Sequence, residues 1–184
     1  MRIIAGSARG RQLKGPKGPG VRPTSDKVRE SLFSILAPVI PGARFLDLFA
    51  GTGAMGLEAV SRGASFSLLV DSSRASLAVA RDNVALTGFG AFVRLMDLRI
   101  DARAAPKLAA FAPFDVVFAD PPYAEISPDE VLTWMGAALL AEGGLFLVEH
   151  DRRHPAPETA AGLEMTDQRR FGDTLVSFYR RSGG

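Results

Sequence analysis

The chain has 184 residues, 47% of them hydrophobic, with no cysteine and two histidines. That suffices for one domain with a substantial core, and it excludes a disulfide framework, a cysteine-ligated metal and a histidine metal cluster. Net charge is +2, but residues 1–30 carry eight basic residues against Asp26 and Glu30, which leaves +6 on this segment and −4 on the rest.

A basic arm on a mildly acidic body is the electrostatic footprint of a polyanion partner. Arg2, Arg9, Arg11, Lys14 and Lys17 are the candidate phosphate contacts. The arm is placed at residues 1–23, and its Gly15–Gly20 stretch reads as loop. Deleting residues 1–20 is expected to weaken binding of that polyanion and to leave ligand binding by the rest of the chain largely alone, because Arg22 and Thr24 remain. Arg2–Ala5 has the pattern of a short strand. Pro23-Thr24-Ser25 opens a helix with Thr24 or Ser25 as N-cap and Asp26 in its first turn. Val28, Leu32, Ile35 and Leu36 mark its apolar face, and Pro38 stops it.

Strand and helix then alternate over residues 24–184, which form the main domain. Strands are predicted at Phe45–Phe49, Phe66–Val70, Phe92–Leu95, Phe114–Ala119 and Leu145–Val148. Helices are predicted at Gly53–Ser61, Ser73–Leu86, Asp101–Ala109 and Pro128–Leu139, the last with Ser127 as N-cap and Pro128 in the first helical position. Gly63 and Gly88 follow helix ends. The alternation implies a doubly wound parallel sheet covered on both faces. Leu163–Arg170 and Thr174–Arg180 flank Gly172-Asp173 and read as an antiparallel hairpin. His150 and His154 are expected on the surface. No apolar run approaches the roughly 20 residues that cross a bilayer, and the first residues lack a secretory h-region. The expected location is the cytoplasm, with no membrane partner.

Two motifs carry chemistry. Asp47–Gly56 contains G-x-G-x-x-G between a strand and a helix, and Asp71 follows Gly51 by 20 residues. In a doubly wound sheet, ligands bind at the carboxyl ends of the strands. Such a loop accepts either the pyrophosphate of a nicotinamide dinucleotide or the amino-acid end of S-adenosylmethionine. Asp47 disfavours a pyrophosphate and attracts an α-ammonium group. Asp71 is a ribose acceptor, and Asp97 suits an adenine amino group. Ala50, Gly51, Gly53, Ser72 and Leu98 complete the candidate cofactor site. Acids at four successive strand ends, Asp47, Asp71, Asp97 and Asp120, fit a cationic nucleoside.

The second motif, Asp120-Pro121-Pro122-Tyr123, follows a predicted buried strand. Proline removes a donor and leaves carbonyls free to accept. A carboxylate and a carbonyl match the two N–H groups of an exocyclic base amine, and Tyr123 supplies a stacking face. At its reference pKa of about 3.9, Asp120 is expected to be ionised at neutral pH. Were S-adenosylmethionine the cofactor, no metal would be required, because its leaving group is a neutral thioether.

These motifs, with Arg2–Gly6, Gly10-Arg11 and Arg22–Phe33, make the chain resemble bacterial 16S rRNA guanine-N2 methyltransferases of the class I, S-adenosylmethionine-dependent type. The resemblance covers nearly the whole chain, and Arg22–Phe33 is its most specific block. It implies a Rossmann-like sheet of seven strands, mostly parallel with an antiparallel C-terminal hairpin. It also implies Arg22 and Thr24 beside the cofactor, and ribosomal RNA or an assembling small subunit as partner of a monomer. An adenine-N6 methyltransferase is the alternative, since the Asp-Pro-Pro-Tyr motif does not distinguish amino groups. A nicotinamide-dependent dehydrogenase and a catalytically silent RNA-binding protein fit the residues less well.

Overall fold

The computed structural model describes residues 1–15 and 26–183. The chain divides into two compact units, Met1–Leu98 and Arg99–Gly184. Among the described residues, the first unit holds three strands and the second five, in an α/β architecture.

In the first unit, β1 (Arg44–Leu48), β2 (Phe66–Asp71) and β3 (Val93–Asp97) run parallel in the order β3-β2-β1. Leu46 pairs with Leu68, Asp47 with Leu69 and Asp71 with Asp97. The acids therefore gather at one end of the sheet. β1 and β2 are almost wholly buried, as strands covered on both faces must be. Helix α1 spans Asp26–Ile35, α2 Ala54–Ser61 and α3 Arg74–Thr87. Ser73 caps α3 by accepting from the Ser76 amide at 3.2 Å, and Gly88 closes it in the left-handed conformation. Every residue of α2 is buried.

Residues 1–15 are docked onto α2 and α3. Only an isolated bridge, Arg2 to Gln12, stands where the short strand was expected. Ile3 and Leu13 enter a core with Leu57, Val60, Ala80 and Val84. Glu58, fully buried, accepts from the Ile4 and Ala5 amides at 2.8 and 3.0 Å. Gly6 lies so close to Ser61 that a Cβ there would stand 1.8 Å from its carbonyl oxygen. The apolar face expected for α1 shifts by one position. Arg29 is buried and Ile35 exposed, because the Arg29 guanidinium finds the Arg2 carbonyl at 2.6 Å and Asp26 at 2.8 Å, with Glu58 3.7 Å away. The expected N-caps Thr24 and Ser25 lie outside the described residues.

In the second unit, β4 (Phe114–Ala119) and β5 (Leu140–Asp151) are parallel. β8 (Thr174–Arg181), β7 (Leu163–Phe171) and β6 (Thr159–Ala160) continue antiparallel in the order β4-β5-β8-β7-β6. The expected C-terminal hairpin is thus β7–β8. The two-residue β6 raises the strand number from the expected seven to eight; it lies in a Pro-rich stretch with no alternating pattern to mark it. The helix expected at Asp101–Ala109 shrinks to α4 (Ala105–Leu108) followed by a 3-10 turn. Helix α5 (Pro128–Met135) starts with a reciprocal capping box between Ser127 and Glu130. It ends earlier than expected, at Gly136. His150, expected on the surface, is fully buried in β5, where Nε2 pairs with the Ser177 hydroxyl at 2.9 Å.

Candidate functional site

The glycine loop leaves β1 through a strained residue. Phe49 has φ of 63°, a region that bulky side chains rarely enter. Nothing in the sequence marks this position. The Ala50 amide then donates to the Val70 carbonyl at 2.9 Å, which lays the loop across the end of β2. Gly53, at φ 79°, caps the start of α2. Gly56 serves close packing: a Cβ there would come within 2.2 Å of Leu69 and 2.5 Å of the Ser67 hydroxyl. The third glycine of the motif thus sets the helix against the strand.

The carboxylates hold this loop in shape. Asp71 accepts from the Gly51 amide with Oδ2 at 2.8 Å and from the Ser73 amide with Oδ1 at 2.7 Å. Asp47, 2% exposed, accepts from the Gly56 amide at 3.0 Å. It therefore lies at the N-terminal turn of α2, where the helix dipole favours negative charge. Asp97 is exposed and faces Arg74 at 3.2 Å. Leu98 is buried, its amide donating to the Asp71 carbonyl at 3.2 Å, while Ser72 is exposed. The first unit thus brings together Asp47, Ala50, Gly51, Gly53, Asp71, Ser72, Asp97 and Leu98. Arg22, Thr24 and Lys17 lie outside the described residues.

Asn83 is part of this region although no motif includes it. It is fully buried in α3. Its Nδ2 donates to the Thr52 carbonyl of the loop at 3.0 Å and to the Lys14 carbonyl at 3.1 Å, while Oδ1 accepts from the Lys14 amide at 2.8 Å. Of the basic residues, Arg2, Arg9, Arg11 and Lys14 are exposed. Lys14 also pairs with Asp82 at 2.7 Å, and Arg2 lies 3.7 Å from Asp26.

In the second unit, Asp120-Pro121-Pro122-Tyr123 follows β4 directly. Asp120 and Tyr123 are half-buried, Pro121 is buried and Pro122 exposed. The Pro122 carbonyl accepts from the Glu125 and Ile126 amides at 2.8 and 3.1 Å, closing the turn. The Tyr123 hydroxyl donates to Asp120 Oδ1 at 3.0 Å. The hydroxyl thus makes a contact that the sequence reading, which considered only the ring face, did not include. Burial pushes the Asp120 carboxyl up to about 6, against the opposing pull of the Tyr123 hydrogen bond. The reference value used for the sequence is thus too low, while the carboxyl stays largely ionised at neutral pH, as expected. Burial, aided by Asp120 and Glu149, likewise raises Tyr123 and keeps it a neutral donor. The Tyr123 ring stacks against His154 with centroids 6.5 Å apart. Asp151 Oδ1 fixes His154 through Nδ1 at 2.8 Å and its amide at 3.0 Å, so His154 is half-buried and not a free surface residue.

Residues 1–180 match the model of the Conserved hypothetical protein 95 family. The chain belongs to this family. Over its full length and that of the relative, it is 38% identical to the "Putative rRNA methyltransferase YlbH" of Bacillus subtilis. It is 36% identical to "Ribosomal RNA small subunit methyltransferase D" of Escherichia coli, over 98% of this chain and 90% of that one. Among solved structures, "Putative methyltransferase yhhF from Escherichia coli" superposes with a TM-score of 0.82 at 33% identity, covering 100% of this chain and 99% of that one. The family members set the fold as that of methyltransferases. Among the described residues, no helix is long and apolar enough to cross a membrane, and no group of acids and histidines is arranged to hold a metal.

Proposed function

We propose that this chain transfers a methyl group from S-adenosylmethionine to the exocyclic N2 of a guanine in small-subunit ribosomal RNA, free or within an assembling subunit. The observation that carries the reading is the Asp120 carboxylate, partly desolvated at the end of β4, hydrogen-bonded by Tyr123 and followed by a proline carbonyl. Membership of a family with relatives named as rRNA methyltransferases supports ribosomal RNA as the substrate. The choice of guanine N2 over adenine N6 rests on the resemblance carried by Arg22–Phe33.

The residues of the first unit fit such a cofactor. Each Asp71 oxygen accepts one backbone amide and keeps lone-pair capacity for a ribose hydroxyl. Asp47 supplies negative charge beneath the loop, suited to an α-ammonium group and opposed to a pyrophosphate. Ala50, Gly51, Gly53 and Ser72 offer backbone and small side chains to the ligand. Leu98 offers an apolar seat beside the base, and Asp97 an acceptor for its amine. Arg22 and Thr24 are assigned to the cofactor by the resemblance alone. When bound, the cofactor supplies an electrophilic methyl group on a sulfonium sulfur.

The remaining chemistry belongs to the lip. The amine of guanine is a poor nucleophile because its lone pair is delocalised into the ring. Asp120 and the Pro121 carbonyl would accept its two N–H bonds, directing the lone pair and favouring sp³ character. Asp120, with its pKa near 6, can take the proton lost after transfer or pass it to water. Pro122 closes the turn that aims these acceptors, and the Tyr123 ring would cover a face of the base. The base reaches such a site only out of its stack. Arg2, Arg9, Arg11, Lys14 and Lys17 would contact backbone phosphates.

The test is incubation with labelled S-adenosylmethionine and small-subunit RNA or particles, followed by nucleoside identification. N2-methylguanosine is expected. N6-methyladenosine would replace the reading with the adenine alternative, and absence of label with tight nicotinamide dinucleotide binding would overturn it.

A further inference from the structure

Asn is a poor choice for the buried face of a helix. Its amide resists desolvation, and its helix propensity is low. Asn83 nevertheless sits fully buried in the middle of α3 with every amide proton used. Its two N–H bonds go to the Thr52 and Lys14 carbonyls, and its oxygen takes the Lys14 amide. The donor and acceptor assignment is forced, since carbonyls lie on one side and an N–H on the other. A residue that breaks local preference yet is satisfied this completely marks a specified junction. One partner is the glycine loop and the other is the basic segment. Glu58 and Ser61 bind the same segment from α2, the helix that the loop begins: Ser61 takes the Ala8 amide at 3.0 Å and donates to the Ala5 carbonyl at 2.6 Å.

We propose that Asn83 is a positioning residue that ties the cofactor loop to the N-terminal segment, so that RNA bound by the segment and cofactor bound by the loop strengthen one another. This rests on the reading of the two surfaces given above. It reverses the expectation that the segment is dispensable for cofactor binding. Linkage requires the effect to be reciprocal: the factor by which RNA tightens the cofactor equals that by which the cofactor tightens RNA. Because the tie runs through hydrogen bonds, either ligand should reduce opening at the other partner of Asn83.

The experiment uses the full chain, S-adenosylhomocysteine and small-subunit rRNA transcribed in vitro. In the wild type, the dissociation constant of S-adenosylhomocysteine should fall by about 5-fold or more with saturating RNA, the lower end of common coupling factors. In Asn83→Ala and Asn83→Asp the factor should drop toward one, with each ligand still bound separately. A second measurement needs no variant. Amide exchange of the wild type should show S-adenosylhomocysteine protecting Lys14 along with residues 50–53. Protection confined to residues 50–53 would overturn the coupling while leaving the cofactor reading intact. So would an unchanged coupling factor in both variants. No binding of S-adenosylhomocysteine to the wild type would remove the cofactor reading itself, and the coupling with it.

Discussion

Replacing Asp120 with asparagine should make the protein more stable and nearly inactive. The side chain keeps its shape, and its oxygen can still accept from Tyr123, which donates at 3.0 Å in the wild type. What disappears is the cost of holding a charge in a desolvated place. The carboxyl moves from 3.8 to about 6 on folding, chiefly through burial. A shift of about two units corresponds to about 3 kcal/mol at neutral pH, a ceiling because part of the group still meets water. The sign follows from linkage. Below pH 3.8 the acid is protonated in folded and unfolded chains alike, and the variant has no advantage. Between 3.8 and about 6 the unfolded chain ionises first, so the wild type loses stability as pH rises. Above about 6 the full cost stands. Thermal unfolding at pH 4 and pH 7.5 measures it: a 3 kcal/mol gain would raise the midpoint by about 6–12 °C in a chain of this size at the higher pH, with little gain at the lower. Methyl transfer should fall by about 10²–10⁴. A variant less stable than the wild type at pH 7.5, or a gain independent of pH, would refute the argument.

Tyr123→Phe removes the hydrogen bond that lowers the Asp120 pKa, so the acid limb of the rate profile should lie at higher pH than in the wild type; an unmoved limb would deny the hydroxyl its role. Asp71→Ala should weaken S-adenosylhomocysteine in calorimetric titration, at up to about 1.5–3 kcal/mol per lost charged hydrogen bond. It should also loosen Gly51 and Ser73 in amide exchange, because Asp71 accepts from both. Gly56→Ala drives a methyl group toward Leu69 and Ser67 at 2.2 and 2.5 Å, and overpacking of this kind costs about 1–3 kcal/mol; chemical denaturation should show the loss.

The sheet was legible because buried parallel strands announce themselves as apolar runs between glycine and proline punctuation. The loop and the Asp120 lip were legible because their residue types are required by geometry. The N-terminal docking was not. Glu58 and Asn83 look like solvent-facing helix positions, and only the distant partners at Ile4, Ala5 and Lys14 explain their burial. His150 was misjudged for a related reason: β5 extends beyond the predicted Leu145–Val148, and Ser177 on β8 supplies the hydrogen bond that makes its burial tolerable. Arg29 displaced an apolar residue from the inner face of α1 because a backbone carbonyl from the segment was there to receive it.

The segment's anchors also set an order on folding. Ile4 waits for Glu58, 54 residues later, and Lys14 for Asn83, 69 residues later. On the ribosome, this segment is therefore held without its partners until α2 and α3 have been made. At about 5–20 residues per second that interval lasts several seconds. Throughout it, Ile3 and Leu13 remain uncovered beside a run of cations.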